Sequence, residues 1–238
     1  MTKSIVKLDQ KQIQQELLTY LNDFATQVEP TLKPFDELMD MQQPTITGVI
    51  MDRLEGLQGN QDVDGETVSE LVAGKAKGLR RNKKLKAQLN QVLANYTEQV
   101  LRIIRSMQAK AYRDGQKQIA KIWNRNTPDG LDLKVKVSAK ELKMVYEYPL
   151  NGDQVSGWID DFVAVLQRKL YRAMSLRVAP ESGLQDGRKL LRKKLTNAIN
   201  EAANNLRELA MMAVNQANAL AYEAEALAFS SKAEWRIV

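Results

Sequence analysis

Apolar residues recur along this chain at steps of three and four, the period of a helix with one buried face. Leu8, Ile13, Leu17, Leu21, Phe24 and Val28 predict a first helix over 8–28. Pro30 and Pro34 interrupt it, a short helix resumes over 35–39, and another follows over 45–57 with Pro44 just ahead. The stretch GNQDVDG at 59–65 has turn composition, and a short helix is expected over 66–73, ending near Gly74 and Gly78. The longest periodic run spans 79–124. Leu85, Leu89, Val92, Tyr96, Val100, Ile103, Met107, Ala111, Ile119 and Ile122 form its stripe, and Gly115 is a candidate break or bend. At about 1.5 Å per residue that helix would be roughly 65 Å long, a length common in coiled coils and extended assemblies.

The pattern changes after NTPDG at 126–130, a strong stop signal. LDLKVKV at 131–137 alternates apolar and polar residues, the period of a half-buried strand. Ser138 with Glu141 three residues later spells a capping box, so a short helix starts there and ends before Pro149. A turn at 150–152 leads into a helix over 155–178, with Trp158, Phe162, Val165, Leu166, Leu170 and Met174 inward, closed by PESG at 180–183. The last helix runs over 186–229, with a break expected near Asn204 and Asn205. Its Ala210, Ala213, Ala217, Ala221, Ala224 and Ala228 allow close helix approach. EWRIV at 234–238 alternates again, and pairing it with 131–137 gives a small β element. The expected fold is mainly α and elongated, with long helices and that one β element. Three regions follow: an acidic helical region 1–74, a long basic helix 75–127, and a C-terminal helical domain 128–238 whose natural chain is expected to continue beyond Val238.

Composition sharpens the picture. Aromatic residues are only 6% of the chain, so the core must be mostly aliphatic. There is no Cys or His, which excludes disulfides, thiol nucleophiles, imidazole bases and Cys/His zinc sites. The missing Cys fits a reducing compartment. No apolar run approaches the roughly 20 residues of a membrane span, so no membrane partner is expected, and the first residues lack a signal-peptide core. Charge is uneven. Residues 1–74 carry 5 basic and 13 acidic side chains, 75–125 carry 14 and 2, and 126–238 carry 16 and 14.

That basic middle holds the sharpest local feature, KAKGLRRNKKLK. Lys75, Lys77, Arg80, Arg81, Lys83, Lys84 and Lys86 repel one another unless an anion relieves them, and each phosphate neutralised would release a counterion. They are the candidate contacts to a double-stranded DNA backbone, non-specific in sequence; docking an acidic protein, or simple solvation, are the other readings. The stripe Leu85, Leu89, Val92, Tyr96, Val100, Ile103 and Met107 is the candidate partner interface. RKLLRKK at 188–194 is a second basic run, read as an exposed helix face. Asp160 and Asp161 are adjacent and make a poor acid/base pair on a helix, while DVDGE lacks the later ligands of a calcium loop. No phosphate-cradling glycine motif occurs. Trp123, Trp158 and Trp235 are expected as core anchors. No catalytic, metal or cofactor set is assigned.

The C-terminal third carries a family resemblance. YPLNGDQVSGWIDDFVAVLQRKLYRAM, SGLQDGRKLLRKKLTNAI and LRELAMMAVNQANALAYEAEALAFSSKAEWRIV, over about 148–238, resemble the phage minor head proteins of the Mu F type, also called head morphogenesis proteins. A Gly-containing entry is matched by Gly183, Gly187 and Leu190, an Ala- and Asn-rich helix by 213–219, and a Trp-bearing strand by Glu234, Trp235 and Arg236. Met212 and Gln216 depart from the family's charged helix motif, and the sequence stops before the point where an Asp, Cys and His cluster commonly follows the Trp strand in that family. The resemblance implies a minor capsid protein of the virion, assembled in the host cytoplasm and present in several copies around the portal protein. Head assembly and genome packaging or ejection would be its role, with the protein in the capsid interior or at the portal vertex. Together with the basic middle this predicts a non-enzymatic protein that docks on the portal and contacts packaged DNA. The alternatives are a helical adaptor binding an acidic protein without nucleic acid, and a hydrolase or transferase whose site lies beyond residue 238.

Overall fold

The structure, a computed structural model, describes residues 10–56, 83–126, 133–174 and 184–232. These are almost entirely helical, so the chain is mainly α. In order they form α1 (Gln10–Thr31), α2 (Lys33–Gly56), α3 (Lys83–Asn126), α4 (Ala139–Glu147), α5 (Val155–Ala173) and α6 (Leu184–Lys232). The helix expected over 66–73 lies outside the described residues, as do 127–132 and 234–238.

Prolines break the chain less than expected. Pro30 lies in the last turn of α1, and Pro34 in the first turn of α2, where helix N–H groups have no intrahelical acceptor anyway. Pro44 sits inside α2, which unites the two short helices expected at 35–39 and 45–57. The lost hydrogen bond and ring crowding of an interior proline cost about 3 kcal/mol. Burial of Phe35, Leu38, Ile46, Ile50 and Met51 on the two sides of it holds the helix through. Neither Gly115 nor Asn204 and Asn205 breaks its helix. Around the asparagines, Ala202, Leu206, Leu209 and Ala210 keep the buried stripe in phase.

The chain packs as two units. One takes in 1–33, 103–155 and 209–238; the other takes in 34–102 and 156–208. The second is aliphatic. Fully buried Phe35, Ile46, Ile50, Leu85, Leu89, Ile159 and Leu166 fill it, and the Tyr96 hydroxyl donates to the Met39 sulfur at 3.1 Å. Asp36 receives a 2.9 Å hydrogen bond from Arg207, Lys169 pairs with Glu201, and Gln42 donates to Gln99 at 3.0 Å. Trp158 and Phe162 stack at 6.1 Å and are half-buried, so this tryptophan flanks the core.

The first unit is built around a close helix contact. A Cβ at Gly115 would stand 2.7 Å from Asn218 Oδ1, 2.9 Å from the Ala221 Cβ and 3.3 Å from the Tyr20 hydroxyl. The glycine therefore serves approach, not bending. Ile13, Leu17, Ile119 and Ile122 form a cluster beside it, flanked by Tyr20 and Trp123.

No strand forms among the described residues, and the expected β element is not shown. Residues 133–137 are irregular, and the Asn124 side chain meets the backbone of Leu133 at their start. The Leu133 N–H donates to Asn124 Oδ1 at 2.9 Å, and Asn124 Nδ2 donates to the Leu133 carbonyl at 3.2 Å. Leu133 packs with Ala120, Trp123 and Val135. The capping box of α4 is present: Glu141 N–H donates to Ser138 Oγ at 3.2 Å, and Ser138 N–H and Oγ each donate to Glu141 Oε2 at 2.6 Å. Asn151 and Gly152, at φ 51° and 93°, make the expected turn, closed by the Leu150–Asp153 bridge.

Candidate nucleic-acid interface

Each buried position of α3 fixes which of its charges face water. Burial falls on Leu85, Leu89, Leu93, Tyr96, Val100, Ile104, Met107 and Ala111, a repeat of four, four and three. That is 3.67 residues per turn, close to a straight helix, whereas a strict seven-residue repeat drifts by about 20° per heptad. The expected stripe is corrected accordingly. Val92 and Ile103 are half-buried, and Leu93 and Ile104 take the inward places. The expected partner interface is corrected too: Leu85, Leu89, Tyr96, Val100 and Met107 are buried in this chain's own core and offer no surface to another molecule.

Of the expected DNA contacts, Lys75, Lys77, Arg80 and Arg81 lie outside the described residues. Lys83, Lys84 and Lys86 are exposed in the first turn of α3, in the second unit, where no acidic residue accompanies them. Cations there oppose the helix dipole by about 0.3–1 kcal/mol each. Lys86 stands over the Tyr171 ring at 5.9 Å. Beside it, Asn90 Oδ1 accepts from Gln167 at 2.7 Å and from Tyr171 at 3.3 Å. On α6, Lys189, Arg192, Lys193 and Lys194 are exposed around buried Leu195.

Residue-by-residue reading of the sequence missed a longer row. Lys110, Arg113, Lys117, Lys121 and Arg125 are all exposed, on the side of α3 away from Gln108, Ala111, Tyr112, Ile119 and Ile122. Steps of three, four, four and four keep the five on one face. Asp114 is the one carboxylate of this stretch of α3. Among the described residues the five cations have a single ion pair, Arg125 with Glu16 at 4.0 Å. Among the described residues, Glu16 is the one acidic side chain of the first third that pairs with this row. The signal was present in the sequence as charged residues recurring at helical spacing, spread too thinly to stand out beside KAKGLRRNKKLK.

At its end the row meets a groove. Lys117, Ala120, Lys121, Asn124, Arg125, Leu133 and Val135 line an open hollow of about 400 Å³. From segment 133–137, Leu133 and Val135 line the hollow, while Lys134 and Lys136 are exposed and outside its lining.

Ionisable groups inside the first unit are held in fixed states. Burial pushes the Tyr20 phenol up to about 12, with Asp114 adding to the effect. Burial does the same to Tyr112, to about 12, with Glu141 and Glu225 adding to it. Tyr20 donates to Asn218 Oδ1, and Gln116 Nε2 donates to the Tyr112 hydroxyl at 3.0 Å. Hydrogen bonds from the Ser138 side chain and backbone hold the Glu141 carboxyl below its ordinary range. Asp160 and Asp161 are both exposed on α5. Among the described residues no three acidic groups converge as metal ligands, and no helix is long and apolar enough to cross a membrane.

No protein-family model, curated protein or solved structure matches this chain.

Proposed function

We propose that this chain is a phage minor head protein that docks on the portal protein and contacts packaged double-stranded DNA. In this reading several copies surround the portal vertex of the virion, inside the capsid, and act in head assembly and in genome packaging or ejection. The activity is binding, and the DNA is held by its phosphates without regard to sequence. The observation that carries the DNA contact is the row Lys110, Arg113, Lys117, Lys121 and Arg125, exposed on one helix face with a single ion pair among the described residues. Neighbouring like charges of this kind cost a helix about 0.2–0.5 kcal/mol per pair. A phosphate backbone removes that cost and returns counterions to solution. Lys83, Lys84 and Lys86, with Lys75, Lys77, Arg80 and Arg81 before them, extend the supply of cations. The family resemblance over 148–238 supports the portal assignment, and the pairing of 131–137 with 234–238 belongs to the same proposal.

The test is affinity for a duplex across a salt series, with co-purification on portal rings. Log affinity should fall linearly with log salt, by about 0.9 for each phosphate neutralised. Reversing Lys110, Arg113, Lys117 and Lys121 to Glu should abolish duplex binding. A flat salt response, or unchanged affinity in that variant, removes DNA from the proposal; failure to travel with portal rings removes the portal. Retention of an acidic protein without DNA would favour the adaptor reading.

A further inference from the structure

We propose that the groove between the last turns of α3 and segment 133–137 is a seat for a phosphodiester group, the place where one strand of a nucleic-acid backbone is held most tightly. This rests on the DNA reading above and deepens it, because it divides the basic row into cations that merely attract and cations that grip. Lys117 and Lys121 line one wall, one helical turn apart, so both side chains border the same hollow. Lys136 is exposed on segment 133–137 and is not part of the lining of the hollow. Between the walls lie Ala120, Leu133 and Val135, two of them buried, so the floor is apolar. Charge attraction beside such a surface is less screened than on open helix.

The second wall is held before any ligand arrives. Both polar ends of the Asn124 side chain are engaged by the backbone of Leu133, at 2.9 and 3.2 Å. Leu133 itself is anchored against Ala120 and Trp123. A site built this way loses little freedom on binding. Among the described residues two features oppose an anion here: the carbonyl end of α3 and the Glu16 carboxylate. Arg125 meets both, since it lies in the last turn of α3 and pairs with Glu16 at 4.0 Å. The gripping charges are therefore Lys117 and Lys121. A hollow of about 400 Å³ admits a backbone ridge and not a whole duplex.

The experiment compares variants of the full chain by duplex binding over a salt series. Lys117→Gln with Lys121→Gln should weaken binding at least about tenfold and reduce the salt slope by about two. Lys110→Gln with Arg113→Gln, outside the groove on the same face, should weaken it only about two- to threefold. Asn124→Ala changes no charge and should still cost several-fold, with helicity by circular dichroism unchanged. Inorganic phosphate or pyrophosphate should compete with the duplex in the wild type and lose that effect in the Lys117/Lys121 variant. Equal losses from the two charge pairs, with Asn124→Ala unchanged, would overturn the seat and leave the basic face standing. A wild-type chain that ignores DNA at low salt would overturn both.

Discussion

Among the described residues, the four buried polar side chains, Gln108, Gln116, Asn218 and Glu225, all belong to the unit of 1–33, 103–155 and 209–238. The unit of 34–102 and 156–208 is filled by Phe35, Leu38, Ile46, Ile50, Leu85, Leu89, Ile159, Leu166 and their like. The same helices, α3 and α6, contribute to both, so the difference lies in the side chains they present. In the aliphatic unit, large groups interdigitate and stability scales with apolar area removed from water. In the polar unit, Gly115, Ala213, Ala217 and Ala221 bring backbones close, and hydrogen bonds fix the register. Such a seam gains specificity at some cost in stability. It also sets the rotation of α3, and with it the direction in which Lys110 to Arg125 face.

The comparison can be broken most easily in the aliphatic unit. Leu166→Ala empties a fully buried position and should cost about 2–5 kcal/mol, read from the denaturant midpoint. A shift under about 1 kcal/mol would mean that the packing there is loose. Next, Gly115→Val should destabilise by about 1–3 kcal/mol, because the Ala221 Cβ cannot move without its backbone. The thermal midpoint would fall, and an unchanged midpoint would show that the helices do not approach this closely.

A smaller effect appears in alkali. Tyr20 and Tyr112 have folded values of about 12, above the ordinary 10.0, so the unfolded chain loses these protons first. Their contribution is complete below pH 10 and is lost as pH rises from 10 through 12. Burial raises Tyr96 in the aliphatic unit as well, in the same direction. Tyr20→Phe should make the decline shallower, measured as the midpoint against pH; a slope unchanged by that substitution would exclude Tyr20 as a contributor. Smallest, Gln108→Leu should be neutral or stabilising by up to about 1 kcal/mol, because both ends of this buried amide lack a hydrogen-bond partner. A loss above about 1 kcal/mol in the thermal or chemical midpoint would show that the amide makes a bond through water.

Much of the helical plan was legible. The capping box at Ser138 and the turn at 150–152 depend on neighbouring residues and emerged as expected. The joins at Pro44, Gly115 and Asn204–Asn205 were not legible, since each local signal for a break was outweighed by burial on both sides of it. The strand expected at 131–137 is not shown among the described residues: an alternating pattern marks one buried face but not what supplies the backbone's partner, and at Leu133 that partner is Asn124. Of the candidate site, the charge of the long helix was plain, and its most crowded segment drew attention away from the evenly spaced row.

By itself the sequence determined a chain of helices with an aliphatic core, no Cys or His chemistry, and a strongly basic middle, because periodicity and composition act over a few neighbouring residues. Only the tertiary structure decided that the stripe from Leu85 to Met107 is core and not a docking face, that Gly115 is a contact and not a hinge, and that Lys117 and Lys121 share a groove with 133–137. Those outcomes turn on which surfaces meet, and burial between residues far apart in the chain outweighs local preferences of about a kilocalorie each.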